Sequence, residues 1–319
     1  MKHDCFISVD WGTSNFRMRV VEKNTLHILE EQREPVGVKT LYDLWLTEGG
    51  ERETYFMHFL EQQRLGLVHS IPSGCIMVIS GMATSDIGLR ELPYAPLPAG
   101  IKGEGFLVYA FRHPDYPFEI RLVSGLRTGN DIMRGEEAQV VGLSGEIEAE
   151  QRTLLVMPGT HSKHVYCHKN EILDFCTFFT GELFYALSHH TILKGAVNTS
   201  DVESAGDWAF EEGVQASLDG KALLHTLFHV RAWDKLGKRD PIENYHYLSG
   251  LLIGSELAAL SGRQCDRILV CAGAGLGKQY ARAIAVSNLS GKTKIIPEDI
   301  VEAAAIRGHA VLLERNEPM

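Results

Sequence analysis

What this chain is short of narrows its roles before any motif is read. No apolar run approaches the about twenty residues that a bilayer-spanning helix needs, and the start, MKHDCF, has no apolar core followed by a cleavage site. A cytoplasmic location without a membrane partner is expected. The cysteines are few and scattered: Cys5, Cys75, Cys167, Cys176, Cys265 and Cys271, none of them in a C-x-x-C pair. That spacing offers no metal site, and several of the six sit in apolar strand-like runs, so they read as reduced core thiols. Positive charge is also scarce, with 31 Lys and Arg against 41 Asp and Glu and a formal net charge of -10. A nucleic-acid partner demands a basic surface, so none is expected. Low-complexity segments and short repeats are lacking as well.

What is there describes a soluble globular protein: 319 residues, 45% hydrophobic and 23% charged, enough for two domains of ordinary size. The stretch around which the chain is organised is FISVDWGTSNFRMRV, Phe6 to Val20. An apolar run ends in Asp10, breaks at Gly12, Thr13 and Ser14, and resumes with alternating character at Phe16, which predicts a tight β-hairpin. A carboxylate at the end of a buried strand can hold a hydrated Mg²⁺, and a glycine with two hydroxyl residues brings donors close to phosphate oxygens. An ordinary hairpin with turn residues would read the same way.

A related unit opens the second half. TLLVMPGTHSKHVYCHKNEI, Thr153 to Ile172, is an apolar strand, a turn containing Gly159, Thr160, His161, Ser162 and Lys163, a second strand, and a polar turn at His168 to Asn170. Two strand-turn-strand units suggest a duplicated fold whose halves, 1–150 and 151–319, grip a phosphate chain from both sides. In the first half the pattern predicts a strand near Thr25–Pro35, helix from Leu41 to Gln63 broken at Gly49-Gly50, strands at Ser73–Ser80 and Ile120–Gly125, and a helix from about Met133 to Leu143. In the second half it predicts a strand running into Thr180-Gly181 and a helix, helices across Trp208–Trp233 and Tyr245–Leu260, a strand at Arg267–Cys271, a short strand at Lys294–Ile296, and a closing helix at Asp299–Leu313.

Three further stretches carry chemistry. The loop after Ser80, GMATSDIGLRELPYAPLPAG, is long for a structureless connector, and Thr84, Ser85, Arg90 and Glu91 supply what a polyhydroxylated acid would engage; a solvated surface crossover is the alternative. Thr180-Gly181 at a strand-to-helix junction can present N–H groups and a hydroxyl to a phosphate. The glycine-rich AGAGLGKQY fails as a P-loop, because Ala272 and Gln279 occupy positions that require Gly and Ser or Thr. It also fails as a dinucleotide fingerprint, since only 42 residues follow Gly277 in the chain of 319. Bare backbone there would instead let an adenine or ribose lie close.

Phosphoryl transfer to a hydroxyl needs a carboxylate to take the proton. Gly129-Asn130-Asp131, placed by the pattern at a helix head, makes Asp131 the first candidate and Glu136 the reserve, while helix capping would equally explain Asp131.

With DWGTSNFR, PGTHSKHV, FTGELF and AGAGLGKQY in order, the chain resembles the sugar-kinase, actin and heat-shock ATPase superfamily. The wording of VISGMATSDIGLRELPY, NDIMRGEEAQ, MPGTHSKHV, TFFTGELF and YLSGLLIGSEL makes it similar, over nearly its whole length, to the 2-dehydro-3-deoxygalactonokinase family. The resemblance implies an α/β fold of two ribonuclease-H-like domains, mixed β-sheets flanked by helices, with the active-site cleft between them. It implies ATP and Mg²⁺ as cofactors and phosphorylation of 2-dehydro-3-deoxy-D-galactonate at its 6-hydroxyl in D-galactonate breakdown. Carried over by position, Asp10 would sit near Mg²⁺, Gly12 and Thr13 near the phosphates, Thr160, His161 and Ser162 in the second phosphate loop, and Gly273, Ala274 and Gly275 at the adenosine. Pro158 and His161 depart from the superfamily's Asp-Gly-Gly-Thr turn, so no second metal-binding Asp is expected, and Lys163 or His161 would supply positive charge unless both are ordinary turn and strand residues. Arg17 and Arg90 are the candidates for the substrate carboxylate, with Ser80, Gly81, Met82, Thr84 and Glu91 around it. A kinase for another sugar acid or ketose, or a non-catalytic nucleotide-dependent sensor, would share these features, and a homodimer is left open.

Overall fold

A computed structural model describes residues 4–67, 75–114, 116–198, 207–260 and 262–314. In chain order the first stretch forms β1 (Cys5–Trp11), β2 (Phe16–Glu22), β3 (Ile28–Glu34), α1 (Val38–Glu48), α2 (Arg52–Leu65) and β4 (Ile76–Gly81). The short strands β5 (Ala95–Pro96) and β6 (Ala99–Gly100) precede β7 (Val108–Arg112), β8 (Glu119–Val123), β9 (Leu126–Arg127), β10 (Ile132–Met133) and α3 (Glu136–Gly142). Then come β11 (Thr153–Met157), β12 (Ser162–His168), β13 (Glu171–Phe178), α4 (Thr180–His190), α5 (Asp207–Leu218), α6 (Leu223–Lys235) and α7 (Pro241–Ala258). The chain closes with β14 (Arg267–Val270), α8 (Ala274–Val286), β15 (Thr293–Ile295) and α9 (Glu298–Glu314). Ser73 and Gly74, the start of the strand expected before Ser80, lie outside the described residues.

The chain divides into two compact units. The first comprises 1–149, 167–174 and 299–319, the second 150–166 and 175–298. In the first, the sheet order is β3-β2-β1-β4-β8-β7. β1, β2 and β3 are antiparallel neighbours, and β4 and β8 add in parallel. Alternation in β1 sends Ile7, Val9 and Trp11 into one face, where they bury against Phe56, Met57 and Leu60 of α2. Trp11 lies within 5.5 Å, centre to centre, of the rings of Phe16, Phe56 and Phe59.

The other face of this sheet carries Ser8 and takes α9. His309 of α9 bridges Ser8 Oγ at 2.8 Å and Ser80 Oγ at 2.9 Å, and Arg121 Nη1 donates to Leu313 O at 2.6 Å. Helices α3 and α9 touch backbone to backbone: a Cβ on Gly142 would stand 1.8 Å from Ala304 O, and one on Gly308 1.8 Å from Ala138 O. These contacts correct the expectation that 151–319 forms one domain, because the closing helix belongs to the first unit. The tip of the β12–β13 hairpin joins it there too, with Glu171 and Ile172 pairing to Gly100 and Ala99.

The second unit repeats the strand order as β13-β12-β11-β14-β15, with β14 parallel to both β11 and β15. Both units thus have the order of a ribonuclease-H-like sheet, and the protein is a mixed α/β fold with helix-flanked sheets. Helix α7 runs through the second unit's core; it starts with a capping box of Asp240 and Glu243 and has Pro241 in its first turn. The expected helical stretch Trp208–Trp233 is two helices, interrupted where Gly220 adopts φ 73°. No helix among the described residues is long and apolar enough to cross a membrane.

Candidate active site

The opening turn has the expected hairpin geometry. Gly12 N–H donates to Asn15 O at 2.9 Å, and the first N–H groups of α1, from Val38 and Lys39, reach Gly12 O and Thr13 O at 3.0 and 3.3 Å. The helix start thus braces the turn from below, leaving Thr13 and Ser14 exposed. Asp10 stands opposite Arg17 on β2 and beside Ser80 on β4, so the three share one face of the sheet. Burial raises the Asp10 carboxyl above the ordinary range; Arg17 and Arg19 pull it back, and Glu136 pushes it up again. A divalent cation would relieve both the burial cost and the repulsion, so this environment fits magnesium. Among the described residues no group of three or more His, Cys, Asp or Glu could hold a metal. Water and phosphate oxygens would supply the remaining ligands, as Mg²⁺ prefers.

Glu136, which acts on Asp10, follows a turn that the sequence pattern misread. The helix does not begin at Met133, which lies in β10 paired with Leu126; Gly135, at φ 111°, delays it to Glu136. Asp131 is therefore at no helix head. It sits in the β9–β10 turn, where its carbonyl accepts from Thr128 N–H at 2.9 Å and its Oδ1 from Ile132 N–H at 2.8 Å. A cavity of about 360 Å³ in the first unit is lined by Leu97, Arg127, Thr128, Gly129 and Asp174, alongside this turn. Glu136 accepts from Arg134 N–H at 3.2 Å. Its neighbour Glu137 is fully buried, accepts from Gly135 N–H at 2.6 Å, and is pushed up to about 8 by burial first and by Glu136 second.

The loop after Ser80 is more ordered than a plain connector. It holds one 3-10 turn, Met82–Thr84, and the two short strands β5 and β6. Arg134 pins it, donating to Thr84 O and Thr84 Oγ1 at 2.5 Å each and to Leu92 O at 3.2 Å, with its guanidinium 4.0 Å from the centre of the Tyr94 ring. Ser80, Gly81 and Thr84 are buried, and the Ser80 and Thr84 hydroxyls are engaged inside the unit. Arg90 pairs with Glu53 at 2.5 Å and lies over Tyr109 and Phe111. Met82 is half-buried and Glu91 exposed.

In the second unit the separately noted segments meet. A cavity of about 940 Å³ is lined by Pro158 and Gly159 of the turn after β11, Thr180 and Gly181 at the head of α4, and Gly275 and Leu276 in α8. The first turn of α4 lies directly on the β11–β12 turn: Glu182 N–H donates to Thr160 O at 3.0 Å, and a Cβ on Gly181 would fall 2.5 Å from Gly159 O. Only glycine permits that approach, which sets a helix N-terminus, with its partial positive charge, at the cavity wall. Thr160 and His161 are exposed; His161 Nε2 meets Glu182 Oε2 at 2.5 Å and its ring stacks on Phe179. Ser162 and Lys163 are buried, and Lys163 Nζ donates to His161 O at 2.9 Å. Gly273 caps α8, and Gly275 lies within the helix rather than in a turn before it.

The profile of the family described as 2-keto-3-deoxy-galactonokinase matches residues 10–308. The chain belongs to that family. It is 35% identical to the Rhizobium meliloti protein named "Probable 2-dehydro-3-deoxygalactonokinase DgoK1" over 89% of this chain and 90% of the relative. It is 30% identical to the Escherichia coli 2-dehydro-3-deoxygalactonokinase over 87% and 88% of the two chains. A crystal structure of a Sinorhizobium meliloti protein given the same kinase name superimposes with a TM-score of 0.81 at 32% identity, covering 97% of this chain and 99% of the other.

The candidates named from the sequence did not include Arg127, Arg134 or Glu137, nor, in the second unit, the buried pair Glu256 and Tyr280, where Tyr280 OH donates to Glu256 Oε2 at 2.7 Å. Arg134 and Glu137 stand in the quoted NDIMRGEEAQ, Glu256 in YLSGLLIGSEL and Tyr280 in AGAGLGKQY, but the motifs do not show that Arg134 reaches Thr84 and Leu92 or that Glu137 is buried.

Proposed function

We propose that this protein is a sugar-acid kinase that transfers the γ-phosphoryl group of ATP to the 6-hydroxyl of 2-dehydro-3-deoxy-D-galactonate, in the cytoplasm. The observation that carries the reading, beside family membership, is the 940 Å³ cavity. The second phosphate turn, Thr180-Gly181 and the glycine-rich start of α8 are far apart in sequence, and they line one space of nucleotide size. In this reading Gly159, Thr160 and the head of α4 hold phosphate oxygens, and Gly273 to Gly275 lie beside the adenosine. Within the first unit, Asp10 would hold Mg²⁺, with Thr13 and Ser14 beside it in the turn. Magnesium supplies neutralisation of the charge developing on the transferred group.

The chain's own contribution to the chemistry is proton acceptance and positioning. Two carboxylates compete as base. Asp131 has the 360 Å³ cavity and Arg127 next to its turn, which offers space and a cation for a small acid. Glu136 has charge coupling to Asp10, and with it Arg17 as the carboxylate partner. Arg90, already paired with Glu53, supports the loop rather than the substrate in both versions.

A coupled ADP-release assay over keto-deoxy sugar acids tests the proposal. Turnover is expected with the galactonate-derived acid, and none with any sugar acid would reject it. A nucleotide sensor would be stabilised by ATP alone, whereas the kinase gains thermal stability from sugar acid as well.

A further inference from the structure

We propose that Glu256 of α7 is the positioning residue of the nucleotide cavity, holding its phosphate end and its adenosine end in register. The inference rests on the ATP-kinase reading and assigns a role to a residue that stands in the quoted YLSGLLIGSEL but was not among the site candidates. Glu256 is 2% exposed and does not itself line the cavity. Its Oε2 accepts from Thr180 Oγ1 at 2.5 Å and from Tyr280 OH at 2.7 Å, and its Oε1 accepts from His164 Nε2 at 2.9 Å. Those three donors stand on three different elements: the head of α4, the middle of α8, and β12.

The network runs on into the phosphate turn. Tyr280 OH lies 3.2 Å from Ser162 Oγ, which accepts from Gly159 N–H at 3.4 Å. Gly159, Thr180 and Tyr280 all line the cavity, so one buried carboxylate determines where three of its wall segments stand. Burial and the nearby Glu256 raise the Tyr280 phenol, which keeps it protonated and a donor. A carboxylate with both oxygens filled by donors is the form in which buried charge is tolerated. Removing it leaves a buried imidazole and two hydroxyls to find new partners, and the wall segments they belong to are released from one another.

Three variants separate positioning from mere support of the fold. In Glu256→Gln the amide oxygen can still accept from His164, while the Thr180 and Tyr280 hydroxyls turn to accept from the amide NH₂. That variant is expected to keep the KM for ATP within about twofold, as a rescue by shape. Glu256→Ala is expected to raise the KM for ATP and the Kd for ADP by roughly 10- to 100-fold with the KM for the sugar acid unchanged, the scale of a misplaced binding group. Tyr280→Phe, which retains the ring and so the packing, is expected to give a several-fold rise in the same two constants, on the order of one lost hydrogen bond. The double variant Glu256→Ala, Tyr280→Phe should bind ADP no more weakly than Glu256→Ala alone.

Titration of the wild type with ADP comes first. Absence of binding would overturn the nucleotide reading itself, and the role of Glu256 with it. Wild-type binding together with an unchanged ADP affinity in Tyr280→Phe, or with nucleotide and sugar-acid constants moving in parallel, overturns the role of Glu256 alone. Should Glu256→Ala not fold, the Tyr280→Phe result decides.

Discussion

Two buried glutamates, one in each unit, show how differently the same residue can be used. Glu256 has both oxygens filled by donors from three elements. Glu137 accepts from Gly135 N–H, while its Oε1 has no hydrogen-bond partner among the described residues, and it has Glu136 for a neighbour. The first arrangement fits a hydrogen-bonded wall that fixes three elements relative to one another. In the second, burial and Glu136 favour the protonated form, and Asp10, too, is raised by burial and by Glu136 against the pull of Arg17 and Arg19. The contrast teaches that burial by itself does not decide what a carboxyl group does; the donors that reach it do.

The largest effect that would sharpen this division belongs to the first unit's carboxylates. Under the proposed mechanism, Asp131→Asn or Glu136→Gln should lower kcat by about 10²- to 10⁴-fold, whichever is the base, with ADP affinity in the second unit unchanged. Activity retained in one of the pair assigns the role to the other. If both lose ADP binding, the division of labour between the units is wrong. Replacement of Arg17 or Arg127 by Ala should raise the KM for the sugar acid at one position and leave it unchanged at the other, matching the base that is found.

A comparable free energy is at stake in the apolar face of the same sheet. Trp11→Ala removes a ring packed on three aromatic neighbours and is expected to cost roughly 3–5 kcal/mol in denaturant unfolding. A loss below about 1 kcal/mol would show that the face repacks.

Next in size is the pH dependence built into the first unit. Glu137, raised to about 8, keeps a proton in the folded state that the unfolded chain releases near its ordinary value of 4.5. Its contribution to stability is complete below 4.5 and fades as pH climbs to about 8, at about 1.4 kcal/mol per pH unit at most. His309 runs the other way. Burial first, then the Arg19 charge, push it down to about 3, so its contribution is present above 6.5 and fades as pH falls toward 3. Thermal or chemical unfolding from pH 5 to 9 should show Glu137→Gln flattening the alkaline decline; an unaltered slope would mean that Glu137 is ionised in the native state.

The smallest effect is expected at His161. Its contacts with Glu182 and Phe179 are solvent-exposed, and exposed pairs contribute little. His161→Ala should change stability by less than about 1 kcal/mol. A larger rise in the KM for ATP than in any stability measure would show that the imidazole meets the phosphates directly.

Much of this could be read from residue order. Alternation through FISVD and FRMRV, the glycine break at Gly49, and the apolar runs TLLV and RILV are local patterns, and each became the expected element. The misreadings have two causes. The helix expected from Met133 fails because Met133 pairs with Leu126 and Gly135 takes a positive φ. The closing helix returns to the first unit because Gly142 and Gly308 allow α3 and α9 to touch, and because His309 finds Ser8 and Ser80. The partners of the closing helix are far away in sequence, whereas Leu126 and Gly135 are local and are revealed by strand pairing and backbone conformation.

Residue order alone determined the two hairpins, the amphipathic helices and the family-bearing motifs, because propensity and hydrophobic period act over a few residues. Tertiary structure alone decided which carboxylate is supplied with donors and which is left raised. It also decided which unit receives the last helix, and that the phosphate turn, α4 and α8 line one cavity. Burial and hydrogen-bond satisfaction depend on residues up to three hundred positions apart, such as Ser8 and His309, and no local pattern encodes them.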